Sequence, residues 1–298
     1  MNDNNNINDL EEDIYILGGE SEYYHEDETN SNKRRSPWWV WTIIVVVGLT
    51  LIMLLVLLFR GKAPNENVEE MLSDAESSDE VEVWFNNTDA SLPSCAIVSD
   101  TLIDNIHLKI ITPYNTVPEL HVGTLDTSNA DIVFATLAAD IGADKGKIIG
   151  AFVCAGEPIS WGGGRKLGYC AILDENITVG VIEDSPLFER AIEQEGYFFR
   201  QYPAVDNGVM VENNPKNASL RRALCVLNGK VCIVAANDRV LLNDYSAALV
   251  KLGVENAIFL VGGTADGWYR TEDGTFYRLG HKMPQDKRYI NYIVFRAQ

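Results

Sequence analysis

Basic residues are scarce in this sequence, and their scarcity argues against one class of function. The 298 residues include 24 Lys and Arg against 43 Asp and Glu, which gives a formal net charge of -19. Proteins that bind nucleic acid use basic patches to neutralise phosphates, and no basic patch offsets the acidic balance here. We therefore expect no nucleic-acid partner.

Histidine and cysteine are also few, with 4 and 5 residues respectively. An odd number of cysteines cannot pair completely within one chain, and no CxxC or His-spaced pair indicates a zinc site. His107, His121 and His281 lack the spacing of a metal site or a catalytic triad. We expect no metal and no cofactor.

Nucleotide-binding glycine motifs are absent as well. GGGRK (residues 162–166) and VGGTADG (residues 261–267) match neither GxGxxG nor GxxxxGK[ST], and no helical pattern follows the first. Each cluster by itself is typical of a turn, because glycine is the default turn residue.

The acidic charge is concentrated in two flanks. Residues 1–37 carry 3 basic and 10 acidic groups, and residues 60–93 carry 2 and 9, so each flank has a net charge of -7 and residues 94–298 keep -5. Both flanks are rich in Asn, Ser, Asp and Glu, a composition typical of disorder. We predict a disordered N-terminal tail over 1–37 and an extended acidic tether over 60–93.

Residues 38–59, WWVWTIIVVVGLTLIMLLVLLF, contain no charged residue. This length predicts a single transmembrane helix rather than a buried core helix, and the late start argues against a cleaved signal peptide. Lys33, Arg34 and Arg35 precede the span, whereas Arg60 and Lys62 follow it, so we predict a cytoplasmic N-terminus. Residues 94–298 would then form an extracytoplasmic, periplasmic domain.

The pattern of residues 94–298 predicts an α+β fold with a mixed, mainly antiparallel sheet and a few packed helices. The predicted strands are short, β-rich and bounded by Gly, Asn, Asp or Pro: 106–112, 131–139, 147–153, 168–173, 177–182, 230–236, 257–261 and 289–295. Two segments, 185–194 and 243–253, have helical period and cap residues. Strand follows strand through most of the domain, although the order around Gly253 is locally βαβ-like.

Three segments of the C-terminal half resemble the phosphodiester glycosidase family. YPAVDNGVMVEN (202–213) is similar to the family's G-P-x-L-V-x-x-G segment, and RRALCVLNGKVCIVAANDR (221–239) to its R-T-A-I-G strand and the D-G-K and D-G-R turns. NDYSAALVKLGVENAIFLVGG (243–263) resembles the helix and strand that lead to L-D-G-G-G-S-S. The resemblance implies a domain over 94–298 that acts on, or binds, a sugar linked through phosphate.

The differences from the family fall in the glycine loop. Val261 stands where the family has an Asp, and Thr264, Ala265 and Asp266 stand where it has a third Gly and two Ser. The family's upstream N-G-G-F-F motif is not recognisable in residues 138–152. Asp266 is the nearest carboxylate to the glycines and a candidate catalytic group, as is Glu157 in the region of the missing motif; either is otherwise a solvated carboxylate.

The resemblance also implies a set of residues that bind substrate. Arg221 and Arg239 match family positions and would bind phosphate oxygens, or else form ion pairs. The remaining candidates are Gly262, Gly263, Thr264 and Trp268. The glycines would direct N–H groups at an anion or end a strand, and the Trp268 ring would stack on a sugar or pack in the core.

Three functions remain open at this level. The chain is a membrane-anchored glycosidase that acts on phosphodiester-linked sugars of envelope glycans, a catalytically degenerate glycan-binding or scaffolding domain, or a structural protein that shares only the fold. Val261 favours the second function, while the matching arginines and glycines favour an anion site under either of the first two.

Overall fold

The computed structural model describes residues 82–142, 147–162, 166–213, 217–262, 265–280 and 290–298. The predicted tail, the predicted span at 38–59 and residues 60–81 of the tether lie outside these ranges. Within the described residues, no helix combines the length and apolarity needed to cross a bilayer. All of them belong to one contact unit that runs from Glu82 to Gln298.

The described part of the chain contains seventeen strands and two helices. The strands are β1 (Cys95–Ile103), β2 (Ile106–Tyr114), β3 (Thr116–Val122), β4 (Ile132–Leu137), β5 (Ala151–Cys154), β6 (Glu157–Trp161), β7 (Gly168–Leu173), β8 (Asn176–Val181), β9 (Tyr197–Gln201), β10 (Pro203–Asp206), β11 (Val209–Met210), β12 (Arg222–Leu227), β13 (Lys230–Ala236), β14 (Val254–Phe259), β15 (Gly267–Arg270), β16 (Phe276–Leu279) and β17 (Asn291–Ala297). The helices are α1 (Leu187–Glu193) and α2 (Leu242–Leu252).

The strands form three sheets, and every strand pair within them is antiparallel. The first sheet has the order β1-β2-β13-β12-β14-β10-β11, the second β16-β15-β4-β17-β3 and the third β6-β5-β9-β7-β8. The predicted mainly antiparallel sheet structure is therefore confirmed. The strand pattern divides into three sheets rather than one.

Helix α2 explains the βαβ-like order around Gly253. Strands β13 and β14 both pair antiparallel with β12, so they run parallel to each other with β12 between them. A parallel pair needs a crossover connection, and α2 supplies it. The helix ends at Gly253, whose φ of 94° is the left-handed conformation that glycine adopts most easily.

One central core draws side chains from all three sheets. It contains Leu224 and Ile258 from the first sheet, Phe134 from the second, and Phe152 and Phe199 from the third. The outer face of the first sheet packs on α2 and the outer face of the third on α1. Alternate residues of a strand point to opposite faces of the sheet. A strand of the first or third sheet therefore contributes side chains both to the central core and to the apolar layer under the helix.

Residues 82–93, which the sequence places in the acidic tether, pack against the domain. Phe85 forms an isolated bridge with Ile177, with N–H···O distances of 2.9 and 3.0 Å. The Asn87 side chain donates to the Pro113 and Val231 carbonyls at 2.9 and 2.6 Å and accepts from the Val231 N–H at 3.1 Å. The folded unit therefore includes residues before the predicted boundary at 94.

These contacts predict that a fragment of residues 82–298 is more stable than a fragment of residues 94–298. Loss of the three hydrogen bonds of the Asn87 side chain, at about 0.5–1.5 kcal/mol each, and of the partial burial of Phe85 should lower the free energy of unfolding of the shorter fragment by about 2–5 kcal/mol. Urea unfolding of the two fragments measures the difference. Asn87→Ala in the longer fragment should reproduce much of it, whereas Asn86→Ala, at an exposed neighbour, should not. Equal stability of the fragments would show that residues 82–93 contribute nothing.

Candidate functional site

Several strand ends meet where β14 leaves the first sheet. The Phe259 N–H donates to the Tyr202 carbonyl and the Leu260 N–H to the Arg222 carbonyl, both at 2.9 Å, so the chain is held on both sides as it runs into the glycine loop. On the second sheet, the Leu137 N–H donates to the Asp266 carbonyl at 3.3 Å. Backbone hydrogen bonds thus join the residue after β14 to the first residue of β12, and the residue before β15 to the end of β4.

Two glycines in this region lie too close to their neighbours to carry a side chain. A Cβ atom at Gly262 would lie 2.7 Å from the Leu220 carbonyl oxygen. A Cβ atom at Gly267 would lie 3.0 Å from the Thr136 Oγ1 and 3.1 Å from Arg222 Nη1. Gly262 lets the loop pass close to the start of β12, and Gly267 leaves room for a guanidinium beneath β15. Gly263 and Thr264, also predicted to bind substrate, lie outside the described residues.

The guanidinium below Gly267 belongs to Arg222, a residue that sequence reasoning did not select. Arg222 is only 5% exposed, and its Nη1 donates to Thr136 Oγ1. Its Nε is buried and has no hydrogen-bond partner among the described residues. Burial lowers the pKa of Arg222 to about 10, and the negative charges that Tyr245 and Asp266 can carry act in the opposite direction. The cation is thus desolvated without an ion pair within hydrogen-bond distance among the described residues.

Asp266 stands beside this region and is held by an arginine from the neighbouring strand. Its Oδ1 lies 2.5 Å from Arg278 Nη1, and the residue is 3% exposed. Burial raises the pKa of Tyr292, and the Asp266 carboxylate adds to that shift while Arg278 opposes it. The arrangement is a buried carboxylate paired with a half-buried cation, next to a phenol that stays neutral at physiological pH.

Trp268 follows on β15 and is completely buried. Its ring packs edge-on against Tyr292, with 6.0 Å between the ring centroids, in an apolar cluster that also contains Val261 and Ala265. Its Nε1 has no partner among the described residues. The ring therefore packs in the core, the alternative to sugar stacking, and offers no exposed face in this structure.

A second buried ion pair lies close to the Tyr202 ring. Lys166 Nζ lies 2.7 Å from Asp140 Oδ2, with both side chains less than a tenth exposed, and it also donates to the Ile149 carbonyl at 3.2 Å. The ammonium sits 5.2 Å from the centroid of the Tyr202 ring. Asp140 therefore forms an ion pair and is not a solvated carboxylate.

The segment leading to Asp140 is fixed by Asn291. The Asn291 side chain accepts from the Ala139 N–H at 2.7 Å and donates to the Ala139 carbonyl at 3.0 Å, and Asn291 is fully buried. Paired backbone and side-chain amides of this kind satisfy polar groups that would otherwise be costly to bury. The charged pair is thus positioned by a rigid connection between β4 and β17.

Arg221 and Arg239, the predicted phosphate ligands, have different environments. Arg221 is 4% exposed, and its guanidinium donates to the Asn217 carbonyl at 2.7 Å and the Val240 carbonyl at 3.4 Å. Burial lowers the pKa of Arg221. Arg239 is exposed and immediately precedes Val240. Since successive side chains of a strand face opposite ways, Arg221 lies on the α2 side of the sheet and Arg222 on the side of the central core.

The other predicted groups do not join this cluster. Glu157 is exposed at the start of β6, where it pairs with Cys154 in the β5–β6 hairpin, and no contact with the Gly262 region is seen among the described residues. In the same part of the chain, no group of three His, Cys, Asp or Glu is arranged to hold a metal ion. All five cysteines are free thiols.

The site thus defined is an end of a three-sheet antiparallel domain, with a buried cation below a glycine-containing loop. No family model matches the sequence, and no curated protein matches it. Among solved structures, the chain is similar to the zebrafish N-acetylglucosamine-1-phosphodiester alpha-N-acetylglucosaminidase catalytic domain, auto-inhibited by its pro-peptide. The TM-score is 0.50 at 12% identity, over 73% of this chain and 88% of that one.

A second similar structure is a hypothetical protein from Synechocystis, with a TM-score of 0.49 and 14% identity over 67% of this chain and 62% of that one. At these identities the comparisons concern the fold alone. The fold is distantly similar to that of a phosphodiester glycosidase catalytic domain, in agreement with the family that the sequence motifs resemble.

Proposed function

We propose that this domain binds a sugar carrying a phosphodiester group at the Gly262 end of the first sheet, and that it has lost the hydrolytic chemistry of the glycosidase fold. The observation that carries the proposal is Arg222, whose buried Nε lacks an acceptor among the described residues. A phosphate oxygen, like a carboxylate oxygen, is an acceptor that a guanidinium binds well, and a charge-assisted bond to it would offset the cost of desolvating the cation.

The carboxylates support binding rather than hydrolysis. Cleavage of a glycosidic bond needs a carboxyl group placed at the anomeric centre. Val261 occupies the position of the family's first carboxylate, Asp266 is paired with Arg278, and Glu157 lies on a separate hairpin. Among the described residues near Gly262, Asp266 is therefore the one remaining candidate, and its Oδ1 is already engaged with Arg278.

The test measures binding and turnover on the same sample. Titration of N-acetylglucosamine 1-(methyl phosphate) into the full-length protein should give saturable binding, whereas N-acetylglucosamine should bind weakly or not at all. Release of N-acetylglucosamine should stay at the background rate. Turnover at enzyme-like rates would instead support a hydrolase, the function that the similarity in fold favours. Absence of binding to the phosphodiester would reject the anion site.

The proposal places the ligand in the envelope, with the domain held at the membrane by residues 38–59. The basic residues that precede the span support a cytoplasmic N-terminus. Protease added to intact spheroplasts should therefore digest the domain and leave residues 1–37 protected, while a cytoplasmic marker protein stays intact. A protected domain with a digested tail would place it on the other side of the membrane.

A further inference from the structure

An open groove with a volume of about 780 Å³ lies on the α1 side of the third sheet, away from the central core. Its lining includes Trp161 at the end of β6, Leu167 just before β7, Phe188 and Glu189 from α1, and Glu183 and Asp184 from the segment before α1. Ala151, which lines the floor, belongs to the apolar cluster that packs between the sheet and α1. The groove is therefore distinct from the Arg222 region, which faces the central core.

Trp161 is the most exposed large aromatic side chain in the described part of the chain, with 69% of its surface accessible. Phe188 supports one edge of its ring, with the two ring centroids 5.3 Å apart. Leu167, 39% exposed, adds apolar surface beside it. An indole held by one neighbour and otherwise open to solvent presents a π-face to a ligand.

Three carboxylates line the same groove as this ring. Glu183, Asp184 and Glu189 are exposed, and none of them forms an ion pair within the residues that the structure describes. The nearby cation is Arg200, whose Nη1 donates to the Ile182 carbonyl at 2.6 Å and whose Nη2 donates to the Glu183 carbonyl at 2.7 Å. The Arg200 charge interacts with Asp184 and Glu189, but its guanidinium donates to backbone carbonyls, and no hydrogen bond from it to these carboxylates is seen among the described residues.

We infer that this groove binds a basic peptide segment, with Trp161 and the three carboxylates receiving Lys or Arg side chains. A cation above an indole face is attracted by the ring quadrupole, and the carboxylates add charge complementarity that a neutral ligand would not use. An anionic ligand would be repelled by the same three charges. The groove therefore takes a ligand of opposite charge to the one proposed for Arg222, and the inference does not depend on that site.

Binding of fluorescein-labelled hexa-arginine to the full-length protein, followed by anisotropy at 50 mM salt, tests the inference. Trp161→Ala and the double variant Glu183→Gln/Asp184→Asn should each weaken binding about tenfold, and 500 mM salt should remove most of it. The double variant Glu175→Gln/Glu272→Gln is the matched control, because it removes the same two charges from exposed carboxylates in the β7–β8 and β15–β16 turns; its affinity should equal that of the wild type.

Two outcomes would overturn the inference. Equal losses in Glu175→Gln/Glu272→Gln and in Glu183→Gln/Asp184→Asn would mean that the peptide responds only to the net charge of the chain. Binding of neutral chitohexaose with the same dependence on Trp161, but none on the carboxylates, would assign the groove to a glycan. Since Trp161 is mostly exposed, Trp161→Ala should keep the wild-type melting temperature, and Trp161→Phe should retain part of the affinity.

Discussion

Arg222→Met is expected to weaken binding of the sugar phosphodiester at least tenfold without lowering the stability of the unliganded domain. Methionine is apolar and of similar length, and replacing a desolvated charge by a packed apolar group is often neutral or stabilising. A charge-assisted hydrogen bond contributes about 1.5–3 kcal/mol, so the affinity should fall by a factor of about 10–150. Calorimetric titration with N-acetylglucosamine 1-(methyl phosphate) and urea unfolding without ligand measure the two effects separately.

The neighbouring residue supplies the control. Arg221→Met removes the donors to the Asn217 and Val240 carbonyls and should lower the free energy of unfolding by about 1–3 kcal/mol, while the folded fraction still binds the ligand with wild-type affinity. The opposite pattern, a destabilised Arg222→Met with unchanged affinity, would show that Arg222 is a structural residue and Arg221 is not.

Adjacent arginines at the start of β12 show why the sequence could not identify this site. Strand alternation requires Arg221 and Arg222 to face opposite sides, but the residues that follow, ALCVL, are apolar on both parities because both faces of the first sheet are covered. Neither face of β12 carries polar residues that would identify it as the solvent-exposed face. The resemblance in sequence selected Arg221 because it matches the family's arginine, whereas the structure directs Arg222 into the interior between the sheets.

The predicted elements that the structure reproduces are those with strong local signals. The predicted strands at 168–173 and 230–236 coincide with β7 and β13, and the predicted helix at 243–253 overlaps α2 to within one residue. Leu242 and Leu249 lie in the cluster under α2, in agreement with the helical period of this segment. Where a continuous apolar run has turn residues at both ends, the sequence shows where the strand begins and ends.

Strands without such runs were missed. β6, at Glu157–Trp161, mixes Pro, Ser and exposed side chains, and β16 carries exposed Phe276 and Tyr277 at a sheet edge. β6 and β16 are edge strands, held by their hairpin partners β5 and β15, and β15 in turn pairs with β4, which is distant in sequence. Single-sequence patterns do not contain that information, because strand propensity mainly reports packing against neighbours.

Val261→Asp, which restores the carboxylate of the family loop, is expected to destabilise the domain and not to create a hydrolase. Val261 is 5% exposed and packs in the cluster of Trp268 and Ala265. The cluster offers a carboxylate no cation, because its polar hydrogens are those of the Trp268 indole and the Tyr292 hydroxyl, and Arg278 is already paired with Asp266. Burial of an unpaired polar or charged group at such a position costs about 2–4 kcal/mol of unfolding free energy at pH 7.

The cause of this loss of unfolding free energy is identified by its pH dependence and by comparison with the matched variant Val261→Asn. Burial raises the pKa of the introduced carboxyl in the folded state above its unfolded value of about 3.9, so the unfolded state releases its proton first and the variant loses stability as pH rises above that value. Relative to the wild type, the deficit should thus be smaller at pH 4 than at pH 8, whereas Val261→Asn should show a deficit that is the same at both. Urea unfolding at the two pH values measures this.

On the folded fraction, hydrolysis of N-acetylglucosamine 1-(methyl phosphate) should stay at background, because a single carboxylate beside the Arg278-bound Asp266 does not supply a free acid and base pair. A gain of about 10²- to 10⁴-fold, the contribution of a positioned acid or base, would instead show that the rest of a catalytic site is intact and that Val261 alone silences it.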